Sequence, residues 1–327
     1  RGRKSSVRTT TRLPRDTAME YCRGSYETKR SFSGKRDKVC DRSTRTENNI
    51  MERILLTGAT GFVGRQILKV LESQGHETLI VTRPGWQNRI EINDTLTHVK
   101  ETADLFQETH ESWCDILQGI DIIIHSAWYA EPGIYLTSPK NLDCLIGTFQ
   151  LAKAAAASHV KRFVGLGTCI EYQLSNNTLT LETPLEPTTP YSAAKVAAYH
   201  SLLEYFNHSD INFLWCRLFY LYGEGEDPRR LVPFLHEKLS NGEIADLSSG
   251  MQIRDFIDVR DAAEMIVAGT LSKTKGAANI CTGHGRSVKD LAHEIAAIYD
   301  RKDLLNFGAR PDNLVDPPII IGQVTKF

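Results

Sequence analysis

The chain has 327 residues, 41% hydrophobic and 24% charged, the balance of a folded water-soluble protein, and no apolar run approaches the ~20 residues that span a bilayer. Its formal charge of −1 joins two unlike parts: residues 1–50 carry 14 Lys/Arg against 6 Asp/Glu, and residues 51–327 carry 25 against 34, so the part that folds is acidic and offers nucleic acid no basic face. The seven cysteines (Cys22, Cys40, Cys114, Cys144, Cys169, Cys216 and Cys281) are odd in number and form no C-x-x-C pair, which argues against a disulfide framework or a metal site and for a reducing, cytoplasmic compartment.

Residues 1–50 are rich in Arg, Lys, Ser and Thr and show no sustained apolar periodicity. Such a segment cannot bury enough surface to offset its ordering entropy, so it is expected to be a disordered basic extension outside the native fold. An upstream gene-start choice is the favoured origin, because Met51 is followed at once by a strand-like run. Asp16, Glu20, Glu27, Asp37 and Asp41 oppose an organelle transit peptide, an anion-binding tail is the third reading, and no secretory h-region is present.

From Ile54 onward strands and helices alternate. Ile54-Leu55-Leu56 is a short apolar strand that runs into a glycine-rich turn, and Phe62 to Leu71 follows with helical spacing up to Gly75. Thr78–Val81 reads as a second strand, and Ile122-Ile123-Ile124 as a strand buried on both faces. Ala-rich Leu151–Ala157 reads as helix, Arg162–Leu166 as strand, Tyr191–Phe206 as helix and Ile211–Arg217 as strand. The alternation predicts an α/β protein with a doubly wound parallel sheet of Rossmann type over residues 51–219, to which 257–275 returns as a helix. Pro228, Pro233, Pro311, Pro317 and Pro318 punctuate shorter elements, so 220–256 and 277–327 are assigned to a smaller C-terminal lobe, with Ser287 and Asp290 as a capping pair before a helix.

The turn Thr57-Gly58-Ala59-Thr60-Gly61-Phe62-Val63-Gly64 lies between the first strand and the first helix. Gly58, Gly61 and Gly64 there serve a tight turn, close approach of backbone N–H groups to a pyrophosphate, and close helix–sheet packing, with the helix N-terminus facing the phosphates. Thr60, Phe62 and Val63 complete this dinucleotide-binding turn. At the end of the second strand, where a carboxylate would bond both ribose hydroxyls of NAD, the chain has Thr82-Arg83-Pro84, and a guanidinium suits a 2′-phosphate. NADP is therefore favoured over NAD, the alternative being that Arg83 is a solvated surface charge. Asp104-Leu105 is read as an adenine-contact pair, with an exposed cap as an equal role for Asp104.

Tyr191 and Lys195, in Tyr191-Ser192-Ala193-Ala194-Lys195, are spaced to share one face of a helix. An ammonium beside a phenol is expected to lower the phenol pKa from ~10 and so fit it for acid–base work near neutrality. Thr168, at the end of the strand that starts at Arg162, is the third catalytic candidate and would bond the reacting oxygen. The structural alternatives are a half-buried Tyr beside a snorkelling Lys, and a strand-end Thr that caps its own backbone.

Four motifs in joint order, TGATGFVG at Thr57, GTCIEY at Gly167, YSAAK at Tyr191 and RDFIDVRD at Arg254, resemble the extended short-chain dehydrogenases/reductases, and within them the NAD(P)-dependent nucleotide-sugar epimerases, dehydratases and reductases. The resemblance runs from Met51 to the C-terminus. It implies that His125, Ser126 and Ala127 line the cofactor, that Cys169 and Tyr220 lie at the substrate, and that Arg254 and Arg310 grip the diphosphate of a nucleotide sugar. The dehydratases carry Asp-Glu directly after the catalytic Thr; Cys169-Ile170 stand there in this chain, so dehydration is set aside. Tyr220 and Cys144 replace family asparagines, and relatives run on through a further helix, so a C-terminal truncation of the substrate lobe is expected.

The resemblance implies reduction of the 4-keto group of a nucleotide-linked deoxy sugar. A 4-epimerase with bound NAD is the first alternative, and a catalytically silent NADP-sensing regulator the second. It also implies a homodimer through helices near residues 138–158 and 191–207, while the charge balance and the apolar runs point to neither nucleic acid nor membrane as partner.

Overall fold

The computed structural model describes residues 52–312 and 317–327; the expected extension over residues 1–50 lies outside the described residues. The central sheet is wholly parallel. Its first six strands are β1 (Ile54–Thr57), β2 (Thr78–Thr82), β3 (Thr97–Glu101), β4 (Ile122–His125), β5 (Arg162–Thr168) and β6 (Asn212–Leu218), in the order β3-β2-β1-β4-β5-β6. Gly276–Ile280 forms the seventh, at the edge beyond β6. The order reverses between β1 and β4, which opens a crevice at the C-terminal ends of these strands.

The strands alternate with α1 (Phe62–Ser73), α2 (His110–Ile116), α3 (Lys140–Ala157) and α4 (Pro190–Asn207). Period-two side-chain alternation sorts the core into two layers. Ile54, Leu56, Ile122, Ile124 and Val164 pack with Ile67, Leu68 and Leu71 of α1. Leu55, Ile123 and Phe163 point the other way, onto Trp113 of α2, Leu151 of α3, and Ala198, Leu202 and Phe206 of α4. Each of these buried large side chains contributes about 1.5–3 kcal/mol relative to exposure, which is why the unbroken Ile122–Ile124 run is found in the interior of the sheet.

Beyond β6 come β7 (Tyr220–Tyr222), α5 (Leu231–Ser240), β8 (Ala245–Leu247), β9 (Ile253–Arg254), β10 (Phe256–Asp258) and α6 (Val259–Leu271). They are followed by β11 (Gly276–Ile280), β12 (Arg286–Ser287), α7 (Val288–Ile298), β13 (Leu305–Phe307) and β14 (Ile319–Ile320). A separate apolar cluster joins Leu235 and Leu239 of α5 to Leu291 and Ile295 of α7. The α6 helix instead adds Ile266 and Val267 to the large core beside α1. Ser287 caps α7, its hydroxyl accepting from Asp290 N at 2.9 Å.

Two boundaries differ from the sequence reading. Residues 277–280 belong to the large sheet, where β11 pairs with β6 from Leu214 to Leu218, and not to the small lobe. Their alanines and asparagine hide a strand that is buried because neighbours cover it. The helix read at Leu151 begins a full eleven residues earlier at Lys140, since Gly147 lets it lie against the Phe106 backbone, where a Cβ would come within 2.6 Å.

Candidate active site

The turn after β1 is built so that three backbones can meet. Gly58 has φ +74°, and a Cβ there would lie 2.7 Å from the amide nitrogen of Ala127, just after β4. A Cβ on Gly64 would lie 2.1 Å from the Gly58 carbonyl oxygen. Gly61 is the N-cap of α1 and no side chain caps that end, so the N–H groups of the first turn face the crevice. Gly61 N donates to Gly58 O at 2.9 Å, which closes the turn beneath them. Thr60, Phe62 and Val63 are half-buried around it. This donor-rich cradle, bare of side chains at Gly58, Gly61 and Gly64, fits a dinucleotide pyrophosphate.

His125 departs from the expected role. Its ring is buried between Thr57 Oγ1 and Thr148 Oγ1, at 2.9 Å from each, and burial holds it neutral, with its pKa down at about 3. It braces β1 against α3, and the segment offers the crevice Ser126 and Ala127 instead. Ala127 N donates to the same Thr57 hydroxyl at 3.3 Å.

At the end of β2, exposed Arg83 stacks its guanidinium over the Trp86 ring at 3.3 Å, and Arg89 lies over the same ring at 3.8 Å. Two cations thus share one indole. Sequence reading found Arg83 and missed Arg89, although the Arg-x-x-Trp-x-x-Arg spacing carried the signal. Asp104 is exposed, and its carboxylate accepts from Phe106 N at 3.0 Å in a local turn, while Leu105 packs onto the apolar layer of α2–α4.

Tyr191 and Lys195 stand in the first turns of α4, which Thr189 caps through a reciprocal pair with Ser192. Lys195 is buried, and its Nζ donates to the Leu166 carbonyl of β5 at 2.6 Å and lies 3.7 Å from the Trp128 ring centre. Burial pulls its pKa down to about 7, against the opposing charges of Glu171 and Cys144. The Tyr191 ring makes edge contacts with Tyr135 at 4.9 Å and Trp128 at 6.4 Å. Here the expected electrostatics is corrected: burial raises the phenol well above its ordinary pKa, with Tyr135, Glu171 and Cys169 adding to the rise and Arg230 opposing it. The Lys195 ammonium is turned to the Leu166 carbonyl and lies 5.9 Å from the Tyr191 ring centre, so it does not acidify the phenol.

Thr168 ends β5 and is half-exposed; its hydroxyl accepts a long 3.5 Å bond from Ile170 N as the cap of a short helical turn, Cys169–Glu171. Glu171, which sequence reading missed, is fully buried. It accepts from Thr168 N at 2.8 Å, from Trp215 Nε1 at 3.1 Å and from Arg217 Nε at 2.7 Å. No local signal marks it, because Trp215 and Arg217 lie 44 and 46 residues further along the chain.

The substrate-side assignments divide. The Cys169 thiol packs with Tyr172, Leu179, Phe219, Cys281 and Ile320, and burial pushes its pKa up to about 12, so the expected substrate contact is not accommodated by its side chain. Tyr220 is half-buried, with the Arg254 guanidinium 5.2 Å from its ring centre. Arg254 is buried and donates to Ile253 O at 2.8 Å. Its neighbour Asp255 ties the lobe together by accepting from Thr282 N, Gly283 N and Gly322 N. Arg310 is exposed, its guanidinium 5.1 Å from the Phe234 ring centre. Among the described residues, no group of His, Cys, Asp or Glu could hold a metal ion, and no helix is long and apolar enough to cross a membrane.

The seven-stranded parallel order, reversed at β1 and β4 and headed by the glycine-rich turn, defines a Rossmann-type α/β enzyme of the extended short-chain dehydrogenase/reductase class. The model of the NAD dependent epimerase/dehydratase family matches residues 54–281, and the chain belongs to that family. It is 24% identical over 271 residues to dTDP-6-deoxy-L-talose 4-dehydrogenase (NAD(+)) of Aggregatibacter actinomycetemcomitans, covering 82% of this chain and 98% of that one. It is 25% identical over 284 residues to CDP-abequose synthase of Salmonella muenchen, covering 82% and 89%. Among solved structures, UDP-N-acetylglucosamine 4-epimerase from Methanobrevibacter ruminantium M1, in complex with UDP-N-acetylmuramic acid, superposes with a TM-score of 0.75 at 18% identity, over 84% of this chain and 90% of that one. That likeness is one of fold.

Proposed function

We propose that this enzyme reduces the 4-keto group of a nucleotide-linked deoxy sugar, with NADP as its preferred cofactor. The observation that carries the reading is the placement of Tyr191 and Lys195 on α4 against the end of β5, where Lys195 Nζ holds the Leu166 carbonyl two residues before Thr168. The names of two relatives, a deoxy-talose 4-dehydrogenase and an abequose synthase, favour deoxy sugars. Cys169-Ile170 in place of Asp-Glu disfavours dehydration.

In this reading, the glycine turn from Gly58 to Gly64 and the open end of α1 hold the pyrophosphate, with Asp104 and Leu105 toward the adenine, Ser126 and Ala127 beside the bound dinucleotide, and Lys195 on its ribose. The nicotinamide, when bound, supplies a hydride to the keto carbon. Thr168 donates its hydroxyl hydrogen bond to the keto oxygen and polarises it. Tyr191, kept protonated by burial, then gives its proton to the alkoxide, so carbonyl becomes alcohol and the phenolate recovers a proton from solvent. Arg254 and Arg310 are the candidates for the substrate diphosphate and Tyr220 for the sugar side. Arg83, with Arg89 on the same indole, supports the NADP preference, since neither forms an ion pair among the described residues and a 2′-phosphate would relieve their mutual repulsion. Exposed Leu142, Ile146 and Tyr205 support a homodimer through α3 and α4, and the scattered free cysteines a cytoplasmic location.

Mass-spectrometric screening of 4-keto-6-deoxy nucleotide sugars with NADPH tests the reading, and Tyr191→Phe should lower turnover by at least about 10²-fold. Wild-type turnover in that variant would refute the roles. A tightly bound NAD with interconversion of 4-epimers and no net NADPH consumption would replace reduction by epimerisation.

A further inference from the structure

We propose that Glu171 is a positioning residue for this reaction: its carboxylate clamps the strand end that presents Thr168 and the Trp215 indole that borders the buried Lys195 ammonium. The inference rests on the catalytic reading of Thr168, Tyr191 and Lys195. Glu171 is 0% exposed, yet all its bonds go to groups that shape the site. Thr168 N donates to it at 2.8 Å, which fixes the peptide that carries the candidate hydroxyl. Trp215 Nε1 donates to both carboxylate oxygens at 3.1 Å, and Arg217 Nε at 2.7 Å.

The clamp extends sideways through Trp215. Its indole fills the face of β5 left bare by Gly165 and Gly167, where a Cβ would come within 2.4 and 2.2 Å of the ring. Between these glycines Leu166 offers the carbonyl that holds Lys195 Nζ, which lies 5.6 Å from the same indole. One buried carboxylate therefore sets the strand end, the indole beneath it and the slot occupied by the ammonium. Stability alone does not account for it, because a buried Glu–Arg pair contributes little net stability over an apolar pair of similar volume.

The groups that face Lys195 are Glu171 from the turn after β5, Cys144 from α3, His125 from β4 and Tyr191 on its own helix. Those that act on Glu171 are Arg217 from β6, Lys195 and Tyr191 from α4, and Cys169 and Tyr172. Of these, Glu171 is the buried carboxylate that favours the protonated forms of both Lys195 and Tyr191. Reduction needs both protonated, so loss of this charge must bring the alkaline decline of activity to lower pH.

The test is Glu171→Gln, which keeps the shape and an acceptor but removes the charge. Its kcat/KM profile should lose activity about one pH unit earlier on the alkaline side, with kcat near neutrality down about fivefold or more and KM for the nucleotide sugar within about threefold. Because this variant leaves the Arg217 guanidinium unbalanced, Glu171→Gln/Arg217→Gln carries the test in a neutral interior and should displace the limb in the same direction by less, since the opposing charge is removed with the carboxylate. A merely structural role would lower the melting temperature and leave the profile in place. A folded variant of either kind with the wild-type alkaline limb and kcat, while Tyr191→Phe is inactive, overturns the proposal. Full activity in Tyr191→Phe overturns instead the catalytic reading beneath it.

Discussion

Gly64→Ala is the sharpest perturbation of the cofactor cradle. The added methyl would meet the Gly58 carbonyl oxygen at 2.1 Å, the Gly58 carbonyl carbon at 2.6 Å and Ala59 Cα at 3.0 Å, all main-chain atoms with no rotamer to yield. Ordinary contact begins near 3.4 Å, so α1 and the turn must separate by roughly 1.3 Å. Overpacking of that kind costs about 1–3 kcal/mol. The displacement also moves the N–H groups that face the pyrophosphate, so cofactor binding should weaken by about tenfold or more, the loss of roughly one charge-assisted hydrogen bond. Fluorescence titration with NADPH and a thermal melt measure the two effects separately. Gly75→Ala is the control: a Cβ there meets nothing within 4 Å but must adopt φ +80°, so it should lower stability by about 1 kcal/mol and leave cofactor affinity unchanged. Wild-type NADPH affinity in Gly64→Ala would refute the assignment of this turn to the pyrophosphate.

Other expectations follow from the same geometry. Arg83→Ala should raise KM for NADPH by about tenfold or more and leave KM for NADH within about twofold, with Arg89→Ala smaller in the same direction, because a charge-assisted bond to phosphate is worth about 1.5–3 kcal/mol; steady-state kinetics with both coenzymes decide it, and equal losses with each would count against a 2′-phosphate site. His125 stays neutral in the fold down to pH about 3, whereas the unfolded chain protonates it below its ordinary value of 6.5. The unfolded state therefore binds more protons in that window, and stability falls as pH drops from 6.5 toward 3, by at most about 1.4 kcal/mol per unit. Urea unfolding of His125→Asn between pH 4 and 6 should show a shallower slope than wild type, and an unchanged slope would remove His125 from the account.

The parts of this molecule that could be read from the chain are those governed by local rules. The glycine turn announced itself because Gly58, Gly61 and Gly64 stand between an apolar strand and an amphipathic helix, and Tyr191 and Lys195 because four residues make one helical turn. What could not be read depends on partners far along the chain. His125 looks like a cofactor-lining residue until Thr57 and Thr148, 68 and 23 residues away, take both ring nitrogens. Glu171 looks like a surface glutamate until Trp215 and Arg217 arrive on β6. The β11 strand has no apolar run to betray it, and its place beside β6 comes from backbone pairing between Gly276–Ile280 and Leu214–Leu218. Cys169 was assigned by its neighbour Thr168, but one residue past the strand end the chain turns and sends that side chain into the apolar cluster. Lys195 shares a helix face with Tyr191, yet the nearer carbonyl of Leu166 claims its ammonium.

The most direct test of the central claim is hydride tracing. Purified enzyme, NADPH carrying deuterium at the nicotinamide C4 position, and a panel of 4-keto-6-deoxy nucleotide sugars should yield an alcohol one mass unit heavier than the unlabelled product, with the deuterium on sugar C4 and one NADPH oxidised per sugar. Interconversion of the corresponding 4-hydroxy nucleotide sugars with no deuterium incorporated and no NADPH oxidised, or no turnover of any nucleotide-linked 4-keto sugar by enzyme that binds the cofactor, would contradict it.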